Sequence, residues 1–117
     1  MNEINYEVSE KTLALQHGSK RSLVRFRWPI KKVLRFDETF VVLVEPAEGE
    51  IDNQNVFGVD RKGTVIWQVQ ARKYRLSDSP FSGIGTEGGL ARLYNWDGTV
   101  LCIDPLTGEV LETDYAK

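Results

Sequence analysis

One strand-turn-strand pattern occurs twice in this chain, and it constrains the fold more than any other feature. Residues 56–67 read Val-Phe-Gly-Val-Asp-Arg-Lys-Gly-Thr-Val-Ile-Trp, and residues 100–112 read Val-Leu-Cys-Ile-Asp-Pro-Leu-Thr-Gly-Glu-Val-Leu-Glu. Asp60 and Asp104 hold equivalent places before the two turns, 44 residues apart. Self-similarity at this spacing is typical of repeats built from four antiparallel strands. We therefore expect two consecutive four-stranded meanders.

The whole chain favours strands. Alternation of apolar and polar residues dominates, and no segment shows the spacing of an amphipathic helix. We assign the first meander to residues 30–70, the second to residues 81–113, and additional N-terminal strands to residues 5–28. The expected fold is all-β, a single domain over residues 1–117 that forms a small sandwich or an open barrel.

Composition and charge exclude several classes of protein. With 41% hydrophobic and 27% charged residues, the chain has the composition of a globular protein. Its single cysteine excludes an internal disulfide, and its acidic N-terminus lacks the apolar segment of a secretory signal. No apolar run is long enough to span a bilayer. We expect a cytoplasmic protein with no membrane partner.

The second copy resembles a known repeat. Its turn Asp97-Gly98, its strand ending at Asp104 and its turn Thr107-Gly108 are similar to the repeat of PQQ-like (pyrroloquinoline quinone dehydrogenase-type) β-propellers. The first copy keeps Asp60 and ends at Trp67, the family's docking tryptophan.

The resemblance extends over roughly residues 33–113 and has two departures. Glu112 stands near the tryptophan position of the second copy, and the loop 46–54 replaces the first turn of the first copy. A closed propeller needs four to eight blades, and two copies are too few. The resemblance therefore implies blade-like topology but not the family's quinone, whose site lies at the axis of a complete ring. We expect no cofactor.

A basic segment is followed directly by an acidic one. Residues 20–35 hold seven basic residues and no acid, whereas residues 37–60 hold seven acids and no base. Phe26 and Trp28 alternate with the arginines, so the aromatic rings should face the core and the charges the solvent. A solvated face, a protein contact and a single-stranded nucleic-acid surface all fit this pattern. The candidate interaction residues are Arg25, Arg27, Lys31, Lys32 and Arg35, together with Trp96 before its turn.

The sequence offers no catalytic or metal-binding constellation. Gly83, Gly85 and Gly88 have the spacing of a dinucleotide-binding loop, but a strand follows them instead of a helix, so we interpret them as turn and bulge glycines. The lone His17 and the lone Cys102 lie far apart in sequence and make no metal site. Asp52 and Asn55 miss the spacing of a calcium loop.

The repeated aspartates and the tryptophan have structural interpretations. Asp60 and Asp104 should accept hydrogen bonds from turn amides, and Trp67 should plug the space between the repeats. We therefore expect a non-enzymatic interaction or structural module with an unidentified protein partner. Single-stranded nucleic-acid binding through residues 20–35 is the alternative, and nucleic acid is the less favoured partner. Exposed faces of so short a repeat also suggest a homodimer, unless the N-terminal strands cover them.

Overall fold

The computed structural model describes residues 4–73 and 76–115, and in these ranges it contains strands, turns and loops but no helix. The strands are β1 (Ile4–Ser9), β2 (Thr12–His17), β3 (Lys20–Arg25), β4 (Ile30–Phe36), β5 (Thr39–Val44), β6 (Val56–Asp60), β7 (Val65–Gln68), β8 (Phe81–Glu87), β9 (Leu90–Asn95), β10 (Thr99–Ile103) and β11 (Val110–Tyr115).

The strands form three antiparallel sheets in chain order. Sheet 1 is β1-β2-β3, sheet 2 is β4-β5-β6-β7, and sheet 3 is β8-β9-β10-β11. Every pairing joins neighbours in sequence, and none of the three sheets closes into a barrel. The expected all-β fold with two four-stranded meanders and N-terminal strands is confirmed. The N-terminal strands make sheet 1.

Two apolar cores hold the three sheets together, and β5 lies between them. Each of its six residues is buried. Phe40, Val42 and Val44 join the core against sheet 1, while Val41 and Leu43 join the core against sheet 3. A strand that is apolar on both faces is expected where a sheet is covered on both sides. Sheet 2 is thus the middle layer.

The passage from sheet 1 to sheet 2 differs from the sequence expectation. The alternation predicts a strand through Trp28, whereas β3 ends at Arg25. The Phe26 amide donates to Lys11 O at 2.8 Å, and the chain then turns toward β4. Pro29 has no amide to donate, so a ladder with β2 could not continue through it. The side chains nevertheless keep their alternation, since Phe26 and Trp28 are buried.

Trp67 joins sheet 2 to sheet 3. Its ring lies over Gly58, its cross-strand partner, and its Nε1 donates to Pro105 O at 2.7 Å. A Cβ on Gly108 would lie 2.7 Å from the indole Cδ2, so the turn of sheet 3 approaches the ring as closely as only glycine allows. The predicted plug between the repeats is confirmed.

The same register carries different residues in sheet 3. Cys102 pairs with Glu112, at the places that Gly58 and Trp67 occupy in sheet 2. Because glutamate replaces tryptophan at position 112, the face of sheet 3 that points away from sheet 2 has no indole at this place. Both repeats keep the aspartate before the turn.

Those aspartates act as the sequence predicts. Asp60 Oδ1 accepts from the amides of Lys62 and Thr64, each at 2.9 Å. Asp104 Oδ1 accepts from the Leu106 amide at 2.9 Å. Both carboxylates satisfy turn amides that have no ladder partner.

Candidate functional site

A groove of about 330 Å³ lies between sheets 2 and 3, at the end that holds the β5–β6 loop and the β9–β10 turn. We call it the Trp96 groove. Its lining is Lys31, Val44, residues 45–50, Asp78, residues 80–82 and Trp96. Trp96 is 68% exposed, the largest exposed fraction among the exposed large hydrophobic residues described. An indole left in solvent beside a groove is the type of residue that anchors protein contacts.

Buried polar contacts fix the wall that carries Trp96. Asn95 is buried, and its Nδ2 donates to Ser79 O at 2.8 Å, while Ser79 Oγ donates to Asn95 Oδ1. The Trp96 amide donates to Pro80 O at 3.0 Å. The Gly98 amide closes the turn on Asn95 O at 3.0 Å. Trp96 therefore stands on a rigid support although its ring is exposed.

Two asparagines attach the opposite wall to sheet 3. Asn55 is fully buried; its Nδ2 donates to Val44 O at 2.8 Å and to Phe81 O at 2.9 Å, and its Oδ1 accepts from the Phe81 amide at 2.9 Å. Asn53 donates to Ser77 O at 2.9 Å and accepts from the Ser79 amide at 2.8 Å. These bonds hold the loop 46–54 against the chain that leads to sheet 3, so the groove is preformed.

The rim of the Trp96 groove is acidic. Glu45, Glu48, Glu50 and Asp78 are exposed along it, and the cation that also lines the groove is Lys31. Lys31 Nζ donates to Ser82 O at 3.1 Å and lies 3.8 Å from Glu45 Oε1. Both partners of that ion pair are well solvated, so its contribution to stability is small. Among the described residues that line the groove, acidic side chains outnumber basic ones.

Two other predicted interaction residues on β4, Lys32 and Arg35, connect sheet 2 to the other two sheets. Lys32 Nζ donates to Ile84 O of sheet 3 at 3.1 Å. Arg35 Nη1 donates to Ile4 O of sheet 1 at 2.8 Å, and its Nε donates to Asp37 O. These cations bond backbone carbonyls of neighbouring sheets, a role that strand alternation alone does not indicate.

Arg25 is the last residue of strand β3 in sheet 1, and Arg27 lies in the segment between β3 and β4. Both are exposed, and the Arg27 guanidinium stacks over the Trp28 ring at 4.4 Å from its centroid. Of the six candidate residues, the structure thus brings Lys31 and Trp96 into one groove and leaves the other four outside it. The six residues thus lie at three locations, and their role in an interaction stays a prediction.

The loop 46–54 organises this site; the sequence left open whether this loop or the basic face makes the contact. Asp52 accepts from the Gln54 amide at 3.1 Å within the loop and from Trp28 Nε1 at 2.7 Å, so its carboxylate ties the loop to the segment before β4. The signal available was the run of asparagine, aspartate and glutamine, since such side chains replace backbone partners in loops.

The remaining chemistry candidates do not converge. His17 and Cys102 lie in different sheets, and burial raises the pKa of the Cys102 thiol. Gly83 and Gly85 lie on β8 beneath the Tyr94 ring, with no helix after them. Within the described ranges, no three histidine, cysteine or carboxylate side chains are grouped to hold a metal ion. A search of the same ranges for a long apolar helix that could cross a membrane finds none.

Comparisons with known proteins identify the fold and the family. The solved structure of BamB from Moraxella catarrhalis is similar, with a TM-score of 0.65 and 16% sequence identity; the match covers 97% of this chain and 33% of that chain. The likeness shows a β-propeller-like fold. This chain spans about a third of the length of that solved structure. No curated protein matches. Residues 1–115 match a family model described as a domain of unknown function, DUF7957, and the chain belongs to that family.

Proposed function

We propose that this chain is a non-enzymatic, cytoplasmic protein-interaction module and that the Trp96 groove is its contact site. The observation that carries the proposal is an indole 68% exposed on a support of buried hydrogen bonds. A hydrophobic anchor within a charged rim is the arrangement of protein-binding hot spots. The acidic rim favours a partner segment that carries lysine or arginine beside an apolar residue.

The proposal includes kinship of sheets 2 and 3 with PQQ-like repeats. The indole of Trp67 against the turn that ends in Gly108, and the aspartate before each turn, support that kinship. It concerns the topology of the repeats and brings no quinone with it.

Affinity capture with matched variants tests the contact site. Wild-type protein, Trp96→Ala and Leu106→Ala are compared on cell lysate from the source organism, with retained proteins identified by mass spectrometry. Leu106 is 63% exposed on the β10–β11 turn at the other end of the sheets, so it controls for loss of an exposed apolar side chain. We expect the same partner with wild type and Leu106→Ala, and at least a tenfold loss with Trp96→Ala.

Two results would contradict the proposal. Equal retention by Trp96→Ala would remove the groove as the contact site. Failure to retain any protein, together with catalytic turnover by the purified chain, would remove the non-enzymatic role. Fractionation of source cells tests the cytoplasmic location, and recovery of the chain with the envelope would contradict it.

Single-stranded nucleic-acid binding remains the alternative prediction. The exposed Arg25 and Arg27, with the cation–π stack on Trp28, are its best support. Retention on heparin with a steep salt dependence, lost in the double variant Arg25→Glu and Arg27→Glu, would favour it. Heparin retention that is unchanged in the double variant would oppose it.

A further inference from the structure

The two junctions between neighbouring sheets are built in the same way. Strands β3, β7 and β11 are the last strands of their sheets, and a turn precedes each of them. The turn before β7 lies against β3, since a Cβ on Gly63 would stand 2.8 Å from Ser22 Cβ. The turn before β11 lies against β7, where Gly108 meets Trp67. The last strand of one sheet therefore receives the last turn of the next.

This rule leaves half a junction open at each end of the stack. Gly18 stands two residues before β3, as Gly63 and Gly108 stand two residues before β7 and β11, and all three have a positive φ. Apart from its chain neighbours, no described atom lies within 4 Å of where a Cβ on Gly18 would stand. At the other end, Glu112 takes the place of Trp67 in the register and is exposed. Within the described ranges, the turn of sheet 1 lacks a receiving strand and β11 lacks a turn.

The outer face of sheet 3, which points away from sheet 2, is acidic. Glu87, Glu112 and Asp114 border a groove of about 200 Å³ on it, together with Arg92. Arg92 pairs with Glu87 at 2.8 Å. Among the described residues, neither Glu112 nor Asp114 forms an ion pair, and both are exposed. Two carboxylates of this face are therefore available to a partner.

The outer face of sheet 1 is basic beside its open turn. Val24 belongs to the core against sheet 2, so Arg21, Leu23 and Arg25 point away from that core. All three are exposed. The register also places Glu7 on this face, toward the middle of the sheet. The outer faces of sheets 1 and 3 thus carry opposite net charge.

The number of sheets selects a second copy as the occupant of both faces. A closed propeller needs four to eight blades, and the described part of one copy supplies three sheets. Two copies supply twice three, which is six, whereas three copies would exceed the range. Contacts between two different faces form a closed ring when the rotation returns to its start. Two copies joined head to tail use both open half-junctions and leave none.

We propose that two copies of this chain form a closed ring of six sheets, in which sheet 3 of each copy docks on the outer face of sheet 1 of the other. Glu112 and Asp114 of one copy would lie beside the β2–β3 turn and Arg21 of the other. Opposite charges would then replace the contact between indole and glycine that joins sheets 2 and 3. Leu23 and Tyr94, both exposed on these faces, would add an apolar contact.

Charge-swap variants test the ring. The acidic-face variant carries Glu112→Lys and Asp114→Lys, and the basic-face variant carries Arg21→Glu and Arg25→Glu. Light scattering and native mass spectrometry give the mass of each variant alone and of their equimolar mixture. Circular dichroism checks that each variant keeps its sheets, and the milder changes Glu112→Gln and Arg21→Gln repeat the test with a smaller perturbation.

Two controls address surfaces outside the proposed junction. Glu48→Lys with Glu50→Lys makes the same change of charge on the rim of the Trp96 groove. Trp96→Ala removes the anchor of that groove, which lies between sheets 2 and 3 of one copy. Both should keep the wild-type mass, so the ring and the Trp96 contact can fail separately.

We expect wild type to be a dimer of twice 13.3 kDa. Each face variant alone should weaken the dimer at least tenfold, because both of its junctions bring like charges together. The mixture should form a heterodimer of nearly wild-type affinity, since one junction keeps the native charges and the other has them exchanged. Added salt should weaken the wild-type dimer, because it screens exposed charges.

Three results would overturn the proposal. A wild-type mass of 13.3 kDa at the highest soluble concentration would show that the faces stay solvated. Loss of the dimer in only one face variant, or a mixture that stays monomeric, would show that the two faces do not meet each other. Growth of wild type beyond a dimer would show that the stack stays open.

Discussion

Single side chains decide how the sheets meet, and Trp67 is the clearest case. Its ring is 8% exposed, touches glycine on both sides and satisfies the Pro105 carbonyl. Removal of the ring would leave both a cavity and an unpartnered buried acceptor. The free energy of unfolding should therefore be more sensitive to this residue than to any other tryptophan.

Trp67→Ala should lower the free energy of unfolding by about 3–5 kcal/mol, the range found for large aromatic residues in cores. Trp96→Ala is the matched control and should change it by less than about 0.5 kcal/mol, since that ring is mostly in solvent. Urea denaturation followed by circular dichroism measures both. Similar losses in the two variants would contradict the assignment of Trp67 as the plug.

Cys102 gives a second test at this scale. Because burial raises the pKa of its thiol, the folded state binds the proton more tightly than the unfolded chain. Stability from this group is complete below the unfolded pKa, about 8.5, and is lost as pH rises through the higher folded value. Iodoacetamide should thus label the native protein at pH 8 far more slowly than the urea-unfolded chain. Equal rates would contradict the burial.

Loops and strand edges are positioned by side chains that replace backbone partners. Asn55 forms three hydrogen bonds that join the end of β5 to the start of β8. Its side chain therefore takes the place of strand-to-strand hydrogen bonds between sheets 2 and 3, which share no strand pairing.

Asn55→Ala should lower the free energy of unfolding by about 2–4 kcal/mol, because it leaves buried backbone groups without these bonds. Gln68→Ala is the control: its side chain also bonds loop backbone, at Gln54 O, but in an exposed place. We expect less than about 0.5 kcal/mol there. Chemical denaturation measures both, and a cost at Asn55 no larger than at Gln68 would show that water replaces the bonds.

The sequence predicted the elements better than the site. Alternation and paired turns placed the strands, and the match of Asp60 with Asp104 marked equivalent turns. The same alternation could not show that Lys32 and Arg35 reach carbonyls of other sheets, because it reports which face a residue takes and not what stands opposite. Asn55 received no structural role from the sequence either, which showed only that its spacing from Asp52 misses a calcium loop. Long-range partners arise from stacking, which local patterns do not encode.

At the scale of the whole molecule, sheet 1 is the cover for sheet 2. From the sequence, either a second copy or the N-terminal strands could cover the exposed face of the repeats. In the structure, the N-terminal strands cover this face of sheet 2. Deletion of residues 1–28 should expose Phe40, Val42 and Val44 and give a product that binds hydrophobic dyes and aggregates. A truncated chain that melts cooperatively as a monomer would contradict this. Dye fluorescence and light scattering distinguish the two results.

The homodimer remains a prediction of its own. With sheet 2 covered, the faces left for a second copy are the outer faces of sheets 1 and 3. Light scattering on the intact chain decides it: a mass of twice 13.3 kDa supports a dimer, and 13.3 kDa removes it. Charge reversal at Arg92, which pairs with Glu87 at 2.8 Å on sheet 3, would then indicate which face is used.

The pairing of Cys102 with Glu112 has a consequence for whatever meets sheet 3. A neighbour that docked as sheet 3 docks on sheet 2 would need an aromatic ring beneath its turn, and it would find a carboxylate there instead. Glu112 shares this side with Glu87, Asp114 and the cation Arg92, so a molecule that docks here meets charged side chains. The stack can therefore be extended in this direction only by a contact of a different chemical kind.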